Sequence, residues 1–181
     1  GNPKNPVQVT SEHELEARAF FHSVDFFIGQ LAKGRKCAHL ALIGFGDDAK
    51  ALVLQFLKVA PHPDLGTPKV TVFSYDPKND KSFIDRRMPS SLGLVDVDVV
   101  ETAFSPDYEA ILAQVTKTDP VGLVYLSERV DGQQQRIAFE LAALAERTSS
   151  AAAMICLKGT TSNRLWVEQM RDYSMWPIRC L

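Results

Sequence analysis

From Cys37 onward the chain alternates short apolar runs with stretches whose apolar residues recur at helical spacing. Ala38 to Ile43 is an apolar run, and beyond Gly44 the positions Ala49, Leu52, Val53, Phe56, Leu57 and Ala60 follow i, i+3, i+4, i+7, i+8, i+11, which predicts a strand, a tight turn and a helix. The prolines between Pro61 and Pro68 stop that helix, and Val70 to Tyr75, β-branched and aromatic, reads as a second strand. Asp76 to Leu92 is poorly patterned and predicts a short helix at most. Val95-Asp96-Val97-Asp98-Val99 alternates strictly, the signature of a strand buried on one side, as at a sheet edge.

The second half repeats this order. Tyr108, Ile111, Leu112 and Val115 form a helix face, Val121 to Leu126 a strand, and Gln134, Ile137, Ala138, Leu141, Leu144 and Ala145 a further face, apolar except for its first member. Ala152 to Leu157 is the fifth strand, Leu165, Trp166, Met170 and Tyr173 share one side of the next helix, and Ile178 to Leu181 makes the sixth strand. Strands alternating with crossover helices predict a doubly wound α/β fold with a six-stranded, mostly parallel sheet. The order 3-2-1-4-5-6 follows because it leaves the alternating third strand at an edge.

The N-terminal region stands outside this pattern. Residues 1–10 read as a cloning scar followed by a polar linker, 11–36 as an extra helix, and 37–181 as the α/β domain, expected to be excised from a longer protein. Ser11-Glu12-His13-Glu14 is a capping box, and Phe20, Val24, Phe27, Ile28 and Leu31 form one stripe before Gly34. Phe21 and Phe26 fall off that stripe. They cover either a neighbouring helix of the same chain or a second surface on a partner or a removed domain.

Composition removes several classes. With 45% hydrophobic and 23% charged residues in 181, the chain is an ordinary globular domain, neither disordered nor a coiled-coil rod. A net charge of −2 supplies no global positive field for nucleic acid. The longest apolar run, Ala151 to Leu157, has seven residues against the ~18 needed to span a bilayer. Cys37, Cys156 and Cys180 show neither zinc spacing nor even pairing, which favours a reducing, cytoplasmic setting, and the four histidines show no ligand spacing, so no metal is expected.

The chemically informative motif is Gly44-Phe45-Gly46-Asp47-Asp48-Ala49, a G-x-G-x-x-A that follows a strand and opens a helix. Gly44 permits the turn, Gly46 lets a pyrophosphate approach the backbone, and Ala49 allows close helix–strand contact, as in a Rossmann-like dinucleotide site. Asp76, at the end of the second strand, stands where such a site places the carboxylate for a ribose hydroxyl. The same glycines also serve a turn that binds nothing. Asp47 and Asp48 are both expected to be solvated first-turn residues that themselves stabilise the positive end of the helix, which weakens dinucleotide binding. No catalytic constellation is present: no nucleophile elbow occurs, and Tyr125 lacks a lysine four residues on.

The H-L-A-L-I-G-F-G stretch from His39 to Gly46, F-S-Y-D-P ending at Pro77, V-V-E-T-A-F-S from Val99 to Ser105 and V-Y-L-S-E from Val124 to Glu128 resemble the RCK, or TrkA-N, domain of potassium channels and transporters. The resemblance spans about Lys36 to Leu181. It implies a cytoplasmic regulatory domain that binds a nucleotide such as NAD(H), assembles as a homodimer or larger ring, and acts on a membrane channel or transporter subunit. It places Gly44, Gly46, Ala49 and Asp76 around the dinucleotide, with Ser127 beside it. Thr102-Ala103 stand where the family commonly has Gly-Asp, and Asp47-Asp48 where it has basic or neutral residues. The alternatives are an NAD(P)-dependent oxidoreductase fragment lacking its substrate domain and an adaptor that binds no nucleotide. Tyr125 or Asp98 facing a pocket would favour the enzyme.

Overall fold

The computed structural model describes residues 11–23, 34–87, 93–102, 122–127, 133–147, 154–171 and 178–180. In chain order the described elements are α1 (Glu12–Ser23), β1 (Cys37–Ile43), α2 (Asp47–Val59), β2 (Gly66–Ser74), α3 (Pro77–Arg87), β3 (Asp96–Glu101), β4 (Leu123–Leu126), α4 (Gln134–Arg147), β5 (Met154–Leu157), α5 (Thr161–Arg171) and β6 (Ile178–Cys180). The six strands form one sheet in the order β3-β2-β1-β4-β5-β6, and every neighbouring pair is parallel. This is the doubly wound Rossmann-like architecture that the alternation predicts. The alternating strand β3 lies at the edge, with Asp96 and Asp98 exposed and Val97 and Val99 half-buried.

Strand side chains alternate between faces, so each strand feeds two cores. On one face Leu40, Leu42, Val70, Val72, Leu123, Tyr125 and Cys156 meet Ala17 and Phe20 of α1, Leu52, Val53 and Phe56 of α2, and Ile84 of α3. On the other, Ala41, Ile43, Phe73, Val124, Leu126, Ile155, Leu157 and Ile178 meet Ile137, Ala138 and Leu141 of α4 and Val167 of α5. The register sets Ile43 beside both Phe73 and Leu126, and Leu126 beside Leu157, so these four strands finish level at their carboxyl ends. Leu157 also pairs with Cys180, whereas Cys156 pairs with Arg179.

α1 begins with the expected capping box. The Glu14 amide donates to Ser11 Oγ at 3.2 Å and the Ser11 amide to Glu14 Oε2 at 3.4 Å. Phe21 packs within the chain: its ring lies edge-on to Phe20 at 5.2 Å and 6.0 Å from Phe56 of α2. The covering of a neighbouring helix therefore accounts for this residue. Val24, Phe26, Phe27, Ile28 and Leu31 lie outside the described residues, as does the predicted helix at Tyr108 to Val115.

Three elements depart from the expectation. β2 starts at Gly66 rather than Val70, because the Gly66 amide donates to Lys36 O at 2.7 Å and extends the pairing toward the start of β1. A Cβ at Gly66 would lie 3.1 Å from that carbonyl, so the approach suits a residue without one. α3 is a full helix of 11 residues despite its weak pattern, capped by Asp76 and anchored in the core by Ile84, alone among its apolar residues in being fully buried. α5 is rotated relative to the predicted face: Asn163 and Val167 are buried, Trp166 and Met170 half-buried, and Leu165 is 57% exposed. Asn163, Trp166, Val167 and Met170 fall at i, i+3, i+4 and i+7, a true helical stripe whose first member is polar.

Candidate functional site

The site is assembled where β1 and β4 end side by side. Gly44 takes a positive φ of 80°, which turns the chain sharply after Ile43, and its amide donates to Phe73 O at 3.1 Å. Gly46 is extended and caps α2 without a side chain, its carbonyl accepting from the Lys50 amide at 2.9 Å. In a dinucleotide fold the Gly46 N–H would meet phosphate. Here it donates to Ser127 Oγ at 3.0 Å.

Ser127 is the first residue after β4 and is fully buried. Its amide donates to Ile43 O at 3.0 Å, a consequence of the Ile43–Leu126 register one residue earlier. Its hydroxyl donates to Asp48 Oδ1 at 2.7 Å, and the Tyr125 hydroxyl donates to Asp48 Oδ2 at 2.9 Å. Asp48 is only 2% exposed. A buried carboxylate is costly unless its oxygens are satisfied, and here two hydroxyls and the positive end of α2 satisfy them. Burial, and then the neighbouring Asp48 carboxylate, push the Tyr125 hydroxyl far above the usual phenol range, so this phenol stays protonated and donating.

The residues expected to line a cofactor site therefore divide. Gly46, Asp48 and Ser127 converge in one hydrogen-bonded cluster, and Gly44 makes the turn that leads into it. Asp47 points to solvent, its side chain 76% exposed, and pairs with Lys50 at 2.9 Å. The expectation of two solvated acids thus holds for Asp47 and fails for Asp48, because Tyr125 and Ser127 supply donors one turn beneath it. Ala49 is fully buried in the helix–sheet contact, as expected. Phe45 is 2% exposed and packs edge-on to Phe83 of α3 at 6.0 Å, so it anchors the turn to the core.

Asp76 serves α3. It is the N-cap, its Oδ1 accepting from the Asn79 amide at 3.4 Å and its Oδ2 from the Asn79 side chain, with Pro77 at the first helical position. Ser74 supports this corner, accepting from the Asp76 amide at 2.8 Å and donating to the buried Asp80 carboxylate. The Thr102 amide closes it by donating to Ser74 O at 2.9 Å.

Two site residues were not foreseen. Gln134 Nε2 donates to Ser127 O at 2.7 Å, and Asn163 Nδ2 donates to Gln134 Oε1 at 2.6 Å and to Lys158 O at 2.9 Å. Both are buried at the first turns of α4 and α5. Their signal in the sequence was a polar residue occupying the first place of an otherwise apolar stripe.

Among the described residues no group of three His, Cys, Asp or Glu is placed to hold an ion, and no helix is long and apolar enough to cross a membrane. His39, 2% exposed, is hydrogen-bonded to Thr71 Oγ1 at 2.9 Å, as a packed core histidine. Cys156 is buried, and burial raises its thiol well above the ordinary range. No protein-family model matches the chain, and no curated protein matches it.

Proposed function

We propose that the chain is a regulatory domain of the RCK, or TrkA-N, kind from a potassium-transport system, acting through assembly with itself or a membrane subunit, with its glycine turn held closed by its own carboxylate. The motifs around Gly44, Asp76 and Ser127 support the kinship, and the observation that carries the functional reading is Asp48. A phosphate oxygen that replaced Ser127 Oγ at the Gly46 amide would approach that buried carboxylate. Like charges ~4 Å apart cost about 4 kcal/mol at an effective dielectric near 20, more than the ~0.3–2 kcal/mol a helix N-terminus returns. The domain therefore carries its own anion where relatives in fold take one from a ligand.

The oxidoreductase alternative loses its support, since Tyr125 is buried against Asp48 and Asp98 lies exposed on the edge strand. The adaptor that binds no nucleotide shares the closed turn with our reading and differs in its partner. Two measurements test the proposal. NAD⁺, NADH and ATP should give little thermal shift on the wild type, while Asp48→Asn gains one and Asp47→Asn does not; a micromolar Kd for NADH on the wild type by calorimetry would overturn the closed turn. Disruption of the gene should alter potassium flux in its source cell, and unchanged flux would leave the adaptor.

A further inference from the structure

The buried hydrogen bonds do not end at the glycine turn. They run from the Gly46 amide through Ser127 to Gln134, and from Gln134 to Asn163 and Lys158 O, crossing from the β1–α2 side of the sheet to the α4–α5 side. Ser127 is the crossing point. Its side chain faces Gly46 and Asp48, its carbonyl faces Gln134, and its amide is tied to Ile43 O. A move of Ser127 therefore takes the acceptor from Gly46, and any backbone component of that move loads the Gln134 bond. Ser127, Gln134 and Asn163 are all buried, at 0%, 8% and 6% exposure, so water does not stand ready to replace a broken bond.

We propose that Ser127 is a latch that makes the glycine turn and the first turns of α4 and α5 open as one cooperative unit, so that whatever engages the turn is felt at α5. This holds whether or not the turn takes a nucleotide. The Asp48 carboxylate holds the Ser127 side chain and the Gln134 side-chain amide holds its carbonyl, so a backbone shift of Ser127 loads both halves together.

Native-state hydrogen exchange on the whole chain, followed by NMR in increasing sub-denaturing urea, tests the latch. The amides of Gly46, Ser127 and Asn163 should exchange through a single opening, with one protection level and one urea dependence, distinct from the Leu42 amide in the core. Gln134→Met, which removes both side-chain bonds at similar volume, should speed Gly46 exchange at least ~10-fold more than it speeds Leu42, a contrast that general destabilisation would not produce. Arg136→Ala, on the exposed side of α4, should leave Gly46 within about twofold, the scatter of independent sites. Different urea dependences for Gly46 and Asn163 in the wild type would overturn the latch without any variant being needed. Gly46 exchange in Gln134→Met that rises no more than Leu42 would overturn it as well.

Discussion

Asp76 and Asp48 both depart from the parts that the sequence suggests for them. Asp76 sits after β2, where a ribose ligand is expected, yet both its oxygens are taken by Asn79 in capping α3. Asp-Pro followed by a polar residue at the third helical position is as much a cap signature as a cofactor signature, and only neighbouring geometry separates them. Asp48 reads as a surface acid, because a helical wheel counts its own helix and not the strand beneath. The missing clue was Tyr125, a hydroxyl inside an apolar strand that needed a buried acceptor. Asp76→Ala should cost about 0.5–2 kcal/mol in urea unfolding and leave the nucleotide response of the wild type and of Asp48→Asn unchanged. A loss of nucleotide response on Asp76→Ala in the Asp48→Asn background would return Asp76 to the site.

At the scale of elements, periodicity located every described strand and its partner order, since runs such as Ala38 to Ile43 have no other way to bury both faces. It was weaker for α3 and α5. α3 is held by Asp76, Ser74 and Asp80, interactions that leave no apolar stripe, and α5 takes its rotation from Asn163, whose bonds to Lys158 and Gln134 bring a polar residue inward and turn Leu165 out. α1 offers the element-scale test. Phe20 of α1 is 7% exposed, so Phe20→Ala should cost about 3–5 kcal/mol, whereas Phe21, half-buried against Phe56, should cost less. Phe21→Glu is accordingly expected to lower Tm without changing the molar mass measured by light scattering. A wild-type dimer that becomes monomeric on Phe21→Glu would show that this ring also serves a partner.

At the scale of the whole molecule, the burial of Tyr125 and Cys156 gives one face of the sheet a response to alkaline pH. Tyr125 and Cys156 are paired neighbours on β4 and β5, and burial raises both groups, with Asp48 adding to the effect on Tyr125. Raised acids keep their protons when folded, so their contribution is complete below the unfolded values, about 8.5 for Cys and about 10 for Tyr, and declines as pH rises past them. Stability from urea unfolding under reducing conditions should therefore fall above pH ~8.5 and more steeply above pH ~10, by up to about 1.4 kcal/mol per pH unit for each group. Cys156→Ala should reduce the slope of the first segment, to which the Cys180 thiol, also raised by burial, adds, and Tyr125→Phe should reduce that of the second; an unchanged slope in Tyr125→Phe would remove that residue from the account. The register of β6 has a consequence of a different kind. Because Cys180 pairs with Leu157, and Cys156 with Arg179, the two thiols stand on opposite faces of the sheet, and an oxidant cannot join them. A slip of β6 by one residue would bring Cys180 to the face of Cys156 on the adjacent strand, ~4.8 Å away, within bridging range. Oxidation during folding would then lock the misaligned strand in place, so the chain's correct alignment is also what keeps it chemically reversible.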